Sequence, residues 1–173
     1  MAHWFDISRT RSAMVRALHG YWDSKRGARA MPRRDDIDPA EITRLLPYLL
    51  IADLVGEKPR VLYRLVGTKV AVATGLDFTG RYLDEFVPND IEKLWHEYYR
   101  IARDQRLPVL GEASIPVAGG EHFVYEFGIF PLSTDGAHVA QCLAIEDYGK
   151  VNDRLAELLE KTKPSWPLKG PAR

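Results

Sequence analysis

The sequence predicts an α+β domain, a five-stranded antiparallel sheet with helices on one face, plus an N-terminal and a C-terminal helix. Three observations predict it. Two alternating segments, YLLIADLV (48–55) and RVLYRLVG (60–67), are joined by the hairpin-length link GEKP. PNDIEKLWHEYYRIARDQ, starting at Pro88, is the strongest amphipathic helix in the chain. Three more strand-like segments follow it: LPVLGEASIPVAG (107–119), EHFVYEFGIFPLS (121–133) and AHVAQCLAIEDYG (137–149). Two strands, a helical insert and a three-strand meander close into one sheet with the insert laid across it.

Each element has a local reason. Ser8 or Thr10 can cap a helix running to Lys25 or Arg26, and Gly27 ends it. Met14, Leu18, Tyr21 and Trp22 form one apolar stripe on that helix, which predicts a homodimer interface. Asp38 reads as an N-cap with Pro39 at the first helical position of a short helix closed by Pro47. On the long helix, 100° per residue gathers Ile91, Leu94, Trp95, Tyr98, Ile101 and Ala102 inward, with His96 and Arg100 opposite. Gly119-Gly120 and Asp135-Gly136 are turn signals in the meander. Val151, Leu155, Leu158 and Leu159 mark a C-terminal helix over 150–163, followed by a loose proline-containing tail, 164–173. The expected divisions are therefore 1–47, 48–149, 150–163 and 164–173.

Composition narrows the function classes. The chain has 173 residues, enough for one domain with an appendage. No apolar run approaches the roughly 18 residues that cross a bilayer, and MAHWFDISRT carries no export pattern, so a cytoplasmic protein is expected. A lone cysteine, Cys142, excludes a disulfide framework. The zero net charge hides basic ends, +6 over 1–34 and +4 over 161–173, around an acidic middle of −10. That middle would repel phosphates, which disfavours nucleic acid as a partner.

The residues also carry a family resemblance. Tyr21-Trp22, Ala28-Arg29, Pro32, Asp38-Pro39, Leu45-Leu46-Pro47, Tyr63-Arg64-Leu65, Gly67-Thr68 and Thr79-Gly80-Arg81 together resemble a family of small bacterial proteins built around one divergent PAS-like domain. The match is specific over about 20–86 and elsewhere rests on layout. The resemblance implies a sensory module that binds a small ligand, dimerises and passes a signal to a partner. Haem-binding PAS relatives hang their haem from a histidine on the long helix. His96 is the candidate there and points away, which disfavours haem. The light-sensing relatives use an Asn-Cys-Arg-like helix motif that is absent, so flavin is disfavoured too. The cofactor is left unknown.

RLVGTKVAVATGLDFTGRYLDEF (64–86) looks at first like a phosphate loop. It lacks the G-x-x-x-x-G-K-S/T order and G-x-G-x-x-G, so Gly67, Gly75 and Gly80 read as bends, with Thr68 capping the next helix. Val61, Tyr63 and Leu65 share one strand face, and Leu62, Arg64 and Val66 the other. Arg64 then needs a carboxylate from Asp84, Glu85, Glu112 or Glu126, or else anchors a ligand; Arg81 pins a loop or does the same. Phe123, Tyr125, Phe127 and Ile129 face the small residues Ala140, Cys142 and Ala144, an arrangement that can leave a cavity. The candidate ligand-binding set is Tyr63, Leu65, Phe78, Trp95, Tyr98, Tyr125, Phe127, Cys142, Arg64 and Arg81.

No catalytic set emerges. The histidines have no metal spacing, no G-x-S-x-G is present, and an enzyme is not expected. The expectation is a sensory and regulatory module for a small apolar or amphipathic ligand, a protein partner, or both, signalling through helix packing or dimerisation. Its alternatives are a ligand-free interaction adaptor and a small enzyme using a buried carboxylate, Glu126 or Glu112.

Overall fold

The structure, a computed structural model, describes residues 1–116 and 122–149. The expected C-terminal helix, the tail and the Gly119-Gly120 turn lie outside the described residues. Six strands form one antiparallel sheet: β1 (Ala2–Trp4), β2 (Leu49–Val55), β3 (Arg60–Val66), β4 (Val109–Pro116), β5 (His122–Ser133) and β6 (Val139–Asp147). Their order is β1-β4-β5-β6-β2-β3. The sheet therefore has one strand more than expected. β1 is only three residues long, too short for alternation to announce it, and Trp4 fixes it by burying its ring and donating Nε1–H to Thr10 Oγ1 at 3.0 Å.

Helix α1 (Ala13–Arg26) covers one face of the sheet, and α2 (Thr68–Thr74) with α3 (Asn89–Gln105) covers the other. α1 starts later than Ser8 or Thr10 would allow, because Ser12 is its cap: the Ser12 Oγ accepts from Val15 N at 3.0 Å. Two carboxylates hold the same end. Glu126 accepts Arg11 N at 3.0 Å and Ser12 N at 2.7 Å, and Ser12 Oγ donates to Asp147 at 2.5 Å. Negative charge at a helix N-terminus is favourable, which pins α1 to the ends of β5 and β6.

Two of the four residues expected at a dimer surface are taken up by the chain's own core. Leu18 and Trp22 are buried with Met31, Ile42, Phe130 and Leu143, while Met14 and Tyr21 pack on the edge of that cluster. Trp22 Nε1–H donates to the Pro131 carbonyl at 2.8 Å. The stripe faces the chain's own sheet because the β-sheet has a second apolar face that must be covered.

The insert between β3 and α3 turns as the glycines predict. Gly67 lies so close to residue 47 that an added Cβ would sit 2.3 Å from the Pro47 carbonyl oxygen. Gly75 closes α2 in the left-handed region at φ 69°. Gly67, rather than Thr68, is the N-cap of α2. On α3, Trp95, Tyr98, Tyr99 and Ala102 are buried, with Ile91 and Ile101 beside them. Leu94 is 39% exposed and Tyr99 takes the inward place expected of it, so the buried stripe is rotated toward Tyr99.

Candidate functional site

A bulge decides what β3 offers the interior. Ile51 pairs with Leu65 and Ala52 with Tyr63, leaving Arg64 as the extra residue. One inserted residue reverses the alternation beyond it. Val61 and Tyr63 face α3, Val66 joins them, and Leu65 turns out to 41% exposure. Leu65 is thus removed from the expected site. Arg64 reaches Asp53 across the hairpin, a partner outside the expected four, and Asp53 also accepts Gln141 Nε2–H at 2.6 Å. Asp84 instead takes three bonds from Arg60, at 2.8, 2.9 and 3.3 Å. Arg81 donates to the Glu85 carbonyl at 3.2 Å and lies over Phe86, holding its own loop.

Between the sheet and α3 lies a cavity of about 100 Å³. Tyr63, Ser114, Tyr125 and Glu146 line it from the sheet. The segment from α2 to α3 contributes Thr74, Gly75, Leu76, Phe78, Leu83, Phe86, Val87, Ile91 and Trp95, and Met1 also touches it. Of the expected residues, Tyr63, Phe78, Trp95 and Tyr125 come together here. Tyr98 and Phe127 stack on each other behind Trp95, at 5.4 Å between ring centres. Cys142 is fully buried away from the cavity, and burial pushes its thiol far above the usual range.

Glu146 is the residue that sequence reasoning missed. Ala140, Cys142 and Ala144 share an inward face, and continuing that period by two reaches Glu146. Its Oε2 accepts the Tyr148 hydroxyl, whose ring lies 4.6 Å from that of Tyr125. Burial pushes the carboxyl up to about 7, and the Tyr148 hydrogen bond opposes this only in part. Tyr63, Tyr99, Tyr125 and Tyr148 surround the acid, and burial raises each of these phenols above its ordinary value. They are hydroxyl-bearing neutral neighbours at neutral pH.

Glu126 and Glu112, the carboxylates considered for chemistry, lie elsewhere. Both pair with Arg11 on the α1 side of the sheet. His96 sits with Glu92 in an open groove between the β2–β3 hairpin and α3, away from the cavity. Among the described residues no cluster of three metal-ligating side chains occurs, and no helix is long and apolar enough to cross a membrane.

Residues 10–145 match the PAS domain family, which covers most of the chain. This chain belongs to the PAS domain family. Similar folds occur in an RNA-binding Light-Oxygen-Voltage receptor (16% identity, TM-score 0.47, 72% of this chain and 37% of that one). A Rhodobacter sphaeroides LOV protein is similar at 12% identity and TM-score 0.45, over 64% of this chain and 68% of that one. The PAS domain of an HTR-like protein from Haloarcula marismortui gives 14% and 0.40, over 62% and 88%. The chain thus spans little more than a third of the RNA-binding receptor. No curated protein matches the sequence.

The haem and flavin known from PAS relatives do not fit these residues. Among the described residues no histidine lines the cavity, Cys142 is buried away from it, and about 100 Å³ is well below the roughly 300–1,000 Å³ of pockets that enclose larger ligands.

Proposed function

We propose that this PAS domain is a sensory and regulatory module whose input is a small amphipathic molecule in the cavity between the sheet and α3. The observation that carries the reading is an aromatic-walled cavity with a single carboxyl, Glu146, at its sheet end. Rings from Tyr63, Phe78, Phe86, Trp95 and Tyr125 supply apolar contact, while Glu146 fixes the orientation of a polar group.

The output runs through the last turn of β6. Glu146 faces the cavity, and the next residue, Asp147, holds Ser12 at the start of α1. Asp147 is also the cross-strand partner of Glu126, which grips the same helix end. A ligand that displaces Glu146 moves Asp147 with it and loosens or tightens the α1 N-terminus, altering the surface offered to a protein partner.

Native mass spectrometry of the purified protein, followed by thermal-shift screening of small molecules, tests this reading. A bound or stabilising small molecule that perturbs the Trp95 indole NMR signal is the expected result. A protein that takes up no small molecule yet captures a defined partner through its helices is an interaction adaptor instead.

A further inference from the structure

We infer that the cavity is a site for a small organic ammonium ion, with Glu146 as its counter-charge and the surrounding rings as its cage. This inference rests on the ligand-binding reading above and names the chemistry of the ligand. Its first support is the missing partner of Glu146. A half-buried carboxylate in an apolar pocket is normally paired with a cation. Here the Tyr148 hydroxyl is its hydrogen-bond partner, and among the described residues no lysine, arginine or histidine pairs with it. Among the described residues no other group donates a hydrogen bond to this carboxyl, and the residue opens onto the cavity.

The second support is the wall. Tyr63, Phe78, Phe86, Trp95 and Tyr125 bring five aromatic rings to one cavity. Rings attract a desolvated organic cation through their quadrupoles, Trp most strongly, and aromatic cages of this kind recognise methylated ammonium groups. A carboxylic acid ligand would meet Glu146 as a like charge, and a neutral alcohol would gain nothing from the carboxylate beyond one hydrogen bond. Size sets the third limit. A cavity of about 150 Å³ holds benzene, so one of about 100 Å³ takes an ion of only a few heavy atoms.

The titratable groups facing Glu146 make the pH response simple. Tyr63 on β3, Tyr99 on α3, Tyr125 on β5 and Tyr148 just after β6 are all raised above their ordinary values by burial, so they stay neutral while Glu146 changes charge. The segment 74–87 brings Thr74, Leu76, Phe78, Leu83, Phe86 and Val87 to the cavity, and Ile91 and Trp95 follow on α3; none of these titrates. Met1 touches the cavity without an ion pair to Glu146. Ammonium binding therefore follows the ionised fraction of one carboxyl.

Isothermal titration calorimetry with isopropylammonium, propan-2-ol and isobutyrate at pH 6 and pH 8 tests the inference. Isopropylammonium should bind more tightly than the other two at pH 8. Its affinity should be about tenfold higher at pH 8 than at pH 6, as the ionised fraction of a carboxyl titrating at about 7 requires. Glu146→Gln should abolish both the preference and the pH dependence. If that variant fails to fold, Trp95→Leu should weaken isopropylammonium more than propan-2-ol. Tighter binding of the acid or the alcohol, or an ammonium affinity that is equal at both pH values, overturns the inference while leaving a ligand-binding cavity. Absence of ammonium binding also overturns it; the sensory reading falls separately, when the broader screen finds no small molecule at all.

Discussion

Replacing Glu146 by glutamine should make the protein more stable at alkaline pH and remove one component of its pH dependence. In the unfolded chain the carboxyl titrates near its ordinary 4.5, and in the fold near 7. Between these values the folded state holds a proton that the unfolded state has released, so stability falls as pH rises. The contribution is complete below about pH 4.5 and lost once pH passes 7. The gap between the two values corresponds to about 3 kcal/mol, most of it between pH 5 and pH 8. Urea denaturation of wild type and Glu146→Gln at pH 5, 6, 7 and 8 isolates the effect, because every other titrating group is common to both proteins. Wild type should lose about 2 to 3 kcal/mol relative to the variant across that range. For a domain of this size that is roughly 2–4 °C in melting temperature per kcal/mol. A wild-type-to-variant difference that stays constant with pH, or grows in favour of wild type, refutes the burial argument.

Other substitutions test the remaining contacts. Glu126→Ala should cost about 2–3 kcal/mol in chemical denaturation, since it strips the α1 N-terminus of a charged acceptor for two backbone N–H groups. Gly67→Ala should destabilise by about 2 kcal/mol or more, because the new Cβ meets the Pro47 backbone rather than a side chain that can move. Arg64→Ala should change stability by less than about 1 kcal/mol, its ion pair with Asp53 being solvent-exposed on the arginine side. Trp22→Ala should cost about 3–5 kcal/mol while leaving the sedimenting mass of the folded protein unchanged, since its ring is buried within the chain.

Periodicity carried most of the architecture into view. The alternating segments around 48–67 and 107–149 form one sheet, and Trp95 and Tyr98 point inward from α3 as 100° spacing requires. What escaped was nonlocal. The Arg64 bulge depends on the pairing of β2 with β3, and it exchanged Leu65 for Val66 in the core. The α1 stripe was legible as apolar, but its choice of partner was not: a helix face looks the same whether it covers its own sheet or a second subunit. Arg64, between apolar strand residues, was expected to need a carboxylate or anchor a ligand, and Arg81 to pin a loop or do the same. Each has an acid beside it, Asp53 and Glu85, the first unforeseen because the hairpin register brings it there. Glu146 was visible as the next step of an inward-facing strand, yet a carboxyl followed by another acid, Asp147, reads as a solvated strand end. The fold separates them, placing one in the cavity and the other on α1.

The most direct measurement is a carbon-13 NMR titration of the Glu146 carboxyl, assigned by comparison with Glu146→Gln. The environment of rings and tyrosine hydroxyls predicts a midpoint at about pH 7. A midpoint near 4.3, the value of a solvated glutamate, would mean that water or a cation reaches this carboxyl and would contradict the cavity on which the account is built.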